Sequence, residues 1–200
     1  MARDNSGKQL QLRLMIAQLA ARMIAEEGIS DYAFAKRKAA RQLGVDDHRC
    51  LPGNLEIEHE VRTHQEIYLG DDQPELLREL RQSALDAMQI LSQFNPHLAG
   101  SVLDGTAGRY ADTDIHLFAD SDKDVEIFLL NQKIHYESSE RSYRYGNERR
   151  KVPIFILEGP HGNIRLSVFA TDEERQPPRN VVGNGAALRA SPDQVQDLLD

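Results

Sequence analysis

Two aspartates, Asp112 and Asp114, stand one residue apart in the run LAGSVLDGTAGRYADTDIHLF at residues 98–118. In an extended segment alternate residues share a face. A strand over 112–119 therefore puts both carboxylates on one side, with His116 next along it. Like charges so placed repel, and they persist in solvent or around a neutralising cation. A hard divalent ion such as Mg2+ takes oxygen ligands of this kind, usually one or two carboxylates plus substrate phosphates. His116 reads either as a polar residue at the exposed end of the strand or as a proton carrier beside such a site.

Upstream lie an apolar run, Gly100-Ser101, and a glycine-containing turn with Gly105 and Arg109. This order, an apolar strand, Gly-Ser, a glycine turn and Asp-x-Asp with apolar neighbours, resembles the signature of the DNA polymerase β-type nucleotidyltransferase superfamily, in the form of its small bacterial-type members. The resemblance implies that Gly100, Ser101, Gly105 and Arg109 bind the phosphates of a nucleoside triphosphate. Glycine allows close backbone approach, and successive amides in a turn make an anion nest. The resemblance further implies that Asp112 and Asp114 are catalytic and hold Mg2+, which stabilises charge during in-line attack at the α-phosphorus. Arg109 has a simpler alternative, pairing with Asp104 or Asp112.

A third carboxylate is expected on a later strand, and the strand over 163–170, NIRLSVFA, is where it belongs. Position 165 is Arg165, and Ser167 on the same face cannot replace a carboxylate. Glu158, at the end of the preceding strand, is the remaining candidate. Losing a general base costs about 10²–10⁴ in rate.

The hairpin SSERSYRYGNERRK at 138–151 interleaves Tyr143 and Tyr145 with Arg141, Arg144, Arg149 and Arg150. Arginine beside tyrosine suits phosphate contact and base stacking, so Arg141, Tyr143, Arg144, Arg149 and Arg150 are candidate contacts for an acceptor. Cross-strand pairing with Glu140 and Glu148 is the other explanation.

The elements that must position these residues follow from periodicity. Residues 9–27 carry apolar positions at helical spacing and stop at Gly28, with a frayed tail over 1–8. Ser30 or Asp31 can cap a helix to Leu43, whose Lys36, Arg37, Lys38 and Arg41 form either a solvated face or a docking patch. A loop covers 46–52. Asn54 can cap a third helix to Tyr68, in which His59 and His64 lack a third ligand at metal-site spacing. A turn at 70–73 precedes a long helix over 74–94, placed to pack on the sheet. Then come short strands at 98–103 and 112–119, a helix at 122–131, and strands within 133–138, 141–146, 152–158 and 163–170. Residues 171–187 read as irregular, and Ser191-Pro192 opens a last helix.

The expected class is α+β: a helical amino-terminal region over 1–95 followed by a nucleotidyltransferase-like mixed or antiparallel sheet core over 96–200, the two forming either two domains or one compact body. Thirty-two acidic groups against 24 basic ones give a net charge of −8, which disfavours non-specific nucleic-acid binding over the whole surface. One cysteine, Cys50, builds neither a disulfide framework nor a zinc motif. No signal-peptide or bilayer-length apolar run is visible, so the expectation is a cytoplasmic protein without a membrane partner. The leading function is Mg2+-dependent transfer of a nucleotidyl group from a nucleoside triphosphate to a hydroxyl on a small molecule, RNA or protein. The alternative is a catalytically degenerate module of that fold that binds or regulates.

Overall fold

The computed structural model describes residues 2–29, 31–45, 50–68, 72–182 and 185–200, with side chains from residue 7 onward. The first three helices, α1 (Ala2–Glu27), α2 (Tyr32–Gln42) and α3 (Asn54–Tyr68), share one apolar core. Ile16, Ala17, Ala20, Ala21 and Met23 of α1 meet Ala35, Ala39 and Ala40 of α2 and Ile57 and Val61 of α3. Alanine on both sides lets the helices lie close. The tail expected to fray is helical, because α1 begins at Ala2. Asp31 caps α2 by accepting from the amides of Ala33 (2.8 Å) and Phe34 (3.1 Å). Ser30, the other proposed cap, most of the loop expected at 46–52, and Gly70 and Asp71 of the expected turn lie outside the described residues. The basic patch on α2 is partly consumed internally: Lys36 donates to the Pro52 carbonyl and Lys38 pairs with Glu27.

The long helix α4 (Asp72–Ile90) takes in Gln73, expected in the turn, and turns Leu80, Ala84, Leu85 and Met88 onto the sheet. That packing agrees with its expected place. It also puts α4 in the same core as the sheet, so the join expected at Asn95-Pro96 falls inside one packed body. A single 3-10 turn follows (Ser92–Phe94) and closes on Asn95, which is left-handed at φ 47°.

The sheet has five strands: β1 (His97–Ala99), β2 (Thr113–Phe118), β3 (Glu137–Tyr145), β4 (Glu148–Gly159) and β5 (Gly162–Phe169), in the order β1-β2-β5-β4-β3. β2 and β5 run parallel, and the other neighbours are antiparallel. The architecture is α+β, with helices first and a mixed sheet after. The strand expected over 98–103 stops at Ala99. Gly100 turns the chain at φ +72°, and residues Gly100–Asp104 wind into the five-residue helix α5, ended by Gly105 at φ +77°. Of the strand expected at 133–138 only Glu137 and Ser138 are extended, and they run on without a break into the one expected at 141–146 as a single strand, β3. α6 (Asp122–Asn131) and α7 (Pro192–Asp197) fall where expected, α7 with a capping box between Ser191 and Gln194.

One sheet face is dry. Leu98, Ile115, Leu117, Phe155, Leu157, Leu166 and Val168 pack against α4 and α6. The opposite face carries Asp114, His116, Phe118, Arg165, Ser167 and Phe169, and it faces the helical unit and residues 176–182 and 185–190. Two glycines bring the helical unit against the α5–β2 loop. A Cβ on Gly28 would lie 2.9 Å from the Tyr110 carbonyl oxygen, and one on Gly108 2.7 Å from that of Ala25. Residues 176–182 and 185–190 lie over the same face. Arg179 donates its amide to the Arg144 carbonyl (2.7 Å), and Ala190 exchanges two backbone hydrogen bonds with Leu98. Val182 packs on the helical core. Among the described residues no helix is long and apolar enough to cross a membrane.

Leu166 is fully buried on the central strand β5. Replacing it with alanine is expected to lower the unfolding free energy by about 2–5 kcal/mol, read as a lower urea midpoint with an unchanged slope.

Candidate functional site

Pairing register sets the site. Asp114 lies opposite Ala99 of β1 on one side and opposite Arg165 of the parallel β5 on the other. Position 165 is therefore the neighbour of Asp114, as the strand reading placed it. Its guanidinium takes Asp114 as a fork, Nε to Oδ1 at 2.9 Å and Nη2 to Oδ2 at 3.2 Å. Nη1 lies 3.1 Å from Oδ2 of Asp112, which just precedes β2. Arg141, reaching in from β3, donates from Nη1 to Asp114 Oδ1 at 2.7 Å. Asp114 and Arg165 keep only 11% and 14% of their side-chain surface exposed, so these charge-assisted bonds sit in a medium poorer than water. Burial works most strongly against the charge of Arg141, but Asp114, Tyr143 and Asp112 together outweigh it and the pKa is raised.

Gly100 is part of the same packing. A Cβ there would lie 2.8 Å from Asp114 Oδ2. The left-handed turn thus brings the start of α5 against the carboxylate, and Ser101 lines the same cavity. Gly105 caps α5 and does not line it. Arg109 and Tyr110 line an adjoining groove that Asp112 also borders.

The Mg2+ site expected from Asp112 and Asp114 does not fit this donor set. Mg2+ demands near-octahedral oxygen ligands at about 2.0–2.1 Å. Here both oxygens of Asp114 accept from guanidinium groups, and the third position carries an arginine. Glu158 does not fill the gap. It is exposed and pairs with Asn163, so it stands two strands from Asp112, about 9–10 Å away by strand spacing. Among the described residues no group of three His, Cys, Asp or Glu side chains gathers to hold a metal ion.

The basic hairpin divides between two faces. Arg141 and Tyr143 point into the cleft. Arg150 stacks over Tyr145 at 4.4 Å and pairs with Glu173. Arg144 and Arg149 oppose each other on the other face, both exposed. Of the expected cross-strand pairs, Glu140 forms one with Lys151.

His116 is not at an exposed strand end: it is 2% exposed. Arg189 donates from Nε to His116 Nδ1 at 3.0 Å, which leaves the ring proton on Nε2, facing the Tyr143 hydroxyl at 3.5 Å. That hydroxyl is 2.8 Å from Ser167 Oγ. Arg189 also lies over the rings of Phe118 and Phe169, at 4.9 and 5.0 Å, and donates to the carbonyls of Glu173 and Glu174. Burial, aided by Arg189, pushes the His116 pKa down to about 3. It is a neutral structural link, not a proton carrier near neutrality. Burial likewise pushes the Tyr143 hydroxyl up.

The side chains converge on a cavity of about 130 Å³ between the sheet, the helical unit and residues 178–182 and 187–188. Tyr32 and Arg189, both part of this arrangement, escape sequence reading. Tyr32 looks like an apolar-face helix residue, and Arg189 sits in a stretch without periodicity. No family model, curated protein or solved structure matches this chain.

Gly100→Ala combines a left-handed φ with a clash on Asp114. It is expected to destabilise by more than about 1 kcal/mol, and an unchanged melting temperature would contradict the packing. His116 binds a proton in the unfolded chain near pH 6.5 but in the folded chain only near 3. Between those values the unfolded state holds the extra proton, so stability falls as pH falls. His116→Gln is expected to flatten that fall by about one proton, measured as the difference in the slope of unfolding free energy against pH.

Proposed function

We propose that this chain is a ligand-binding module with a nucleotidyltransferase-like site in which arginine has taken the place of the metal. The observation that carries the reading is Arg165, forked onto Asp114 and paired with Asp112 at the strand position where the resemblance calls for a third carboxylate. Supporting it are the left-handed Gly100 against Asp114 and the helix that begins there, as the resemblance implies for a phosphate-approaching turn. A metal-dependent transferase needs carboxylates free to bridge two oxygens across a metal and a base for the attacking hydroxyl. Here the guanidinium groups of Arg165 and Arg141 together neutralise the pair permanently. Arginine stays protonated throughout the physiological range and fits carboxylates as a rigid fork. The cleft is thereby organised without a divalent ion, and ligand binding does not depend on one.

The test compares wild type with Arg165→Asp, which rebuilds three carboxylates, and Arg165→Met, which only removes the cation. Melting temperature is followed with Mg2+ or with EDTA. Wild type is expected to melt at the same temperature in both. Arg165→Met is expected to lose stability, by about 3 kcal/mol if the pair behaves as buried ones do. Arg165→Asp is expected to recover stability on Mg2+ addition. Transfer of labelled nucleotide from ATP, GTP, CTP or UTP into any acceptor of a cell extract, lost in Asp112→Ala, would overturn the proposal in favour of an active enzyme.

A further inference from the structure

Part of the cavity wall has hydrogen-bonding capacity that the protein leaves unused. Tyr32, Ser101, Asp104 and Thr106 line it, and their side-chain oxygens make no hydrogen bond among the described residues. Two of these residues are more than nine-tenths buried: Tyr32 is 9% exposed and Thr106 7%. Their hydroxyls open on the cavity, and a hydroxyl that meets no protein partner is ordinarily satisfied by water or by a ligand. The Asp104 carboxyl is pushed up by burial and by nearby Glu58, against the weaker pull of Arg62, so it too is short of compensating donors.

Counting groups narrows the occupant. Three hydroxyls each bring one proton, while they and the carboxylate offer many more lone pairs, so the ligand must be rich in donors. Formal charge around the cavity balances, Asp104, Asp112 and Asp114 against Arg141, Arg165 and Arg179, which favours a neutral ligand over an ion. Its volume of about 130 Å³ is close to the roughly 150 Å³ that houses one benzene ring, so it encloses one ring and not a whole nucleotide. Ile24 and Ile29 supply apolar wall for the C–H face of that ring.

We propose that this cavity binds a neutral ring bearing a vicinal diol, a furanose or pyranose, with Asp104 accepting from the two hydroxyls and Tyr32, Ser101 and Thr106 completing the hydrogen bonds. The proposal rests on the reading of the cleft as a metal-independent binding site and names what it binds. Such a ring can come from a free monosaccharide or from the ribose of a nucleoside.

The experiment is calorimetric titration of the full chain in EDTA with D-ribose, D-glucose, adenosine and 2′,3′-dideoxyadenosine. Saturable binding of a diol-bearing probe is expected, with dideoxyadenosine at least about tenfold weaker than adenosine. Binding of the sugars alone assigns a free monosaccharide, and binding of adenosine alone assigns a nucleoside. Asp104→Asn and Tyr32→Phe, both close in shape to the originals, are each expected to weaken binding at least severalfold while the melting temperature of the free protein holds. Heat from none of the four probes overturns the proposal, as does equal affinity for adenosine and its dideoxy form, or unchanged affinity in both variants. Repeating the series with Mg2+ separates the two readings. Diol binding that appears only with Mg2+ sinks metal independence and leaves the diol site standing. No binding in either condition sinks the diol site alone.

Discussion

The ion cluster of Arg165 with Asp112 and Asp114 is the constraint on which the cleft depends. Two carboxylates near one strand end, mostly removed from water, cannot stay charged side by side without a cation. Most sites of this shape would recruit that cation from solution. This one carries it on the adjacent parallel strand, so it is delivered by folding and cannot be exchanged. The choice has a structural cost and a structural return. An arginine held by three oxygens has little freedom left, and a carboxylate so engaged is a poor ligand for anything else. In return β2, β5 and β3 are tied together on the one sheet face that lacks a continuous apolar layer.

Behind that cluster the same face grows steadily more aromatic. His116, Tyr143, Phe118 and Phe169 form a group into which Arg189 is inserted as the anchor of the carboxy-terminal segment. Neutral histidine is what makes this arrangement possible. A protonated ring would set two positive charges in contact, whereas the neutral ring offers Nδ1 as an acceptor. The polar chain from Arg189 to Ser167 thus serves position, holding the segment that roofs the cavity.

Much of this was legible in the sequence, and the reasons it stopped are physical. Alternation over 112–118 put Asp112, Asp114 and His116 on one side because the period of a strand is two, and the same count put Arg165 on the facing position of β5. Caps and stops at Asp31, Gly28 and Ser191-Pro192 located helix ends because they act within one turn. The chain between Ala99 and Gly105 misled, since a single left-handed glycine converts a strand into a helix start and apolar content does not record it. Burial of His116 was invisible because it is imposed by Arg189, 73 residues away. The cavity was invisible too, because its walls come from three separate regions of the chain.

The paired contacts at Gly28 and Gly108 give the cavity an unusual kind of dependence. Each puts one backbone against another with no room for a methyl group, and both lie between the helical unit and the loop that leads into β2. They work as shims of zero thickness. The gap between the two halves is set there, at two glycines of the cavity wall that carry no functional group, and every polar group in the cavity inherits its spacing from them. Drift in binding preference can therefore begin at a backbone contact rather than at a polar group: a side chain gained at either glycine would widen the chamber while leaving each of its functional groups chemically unchanged.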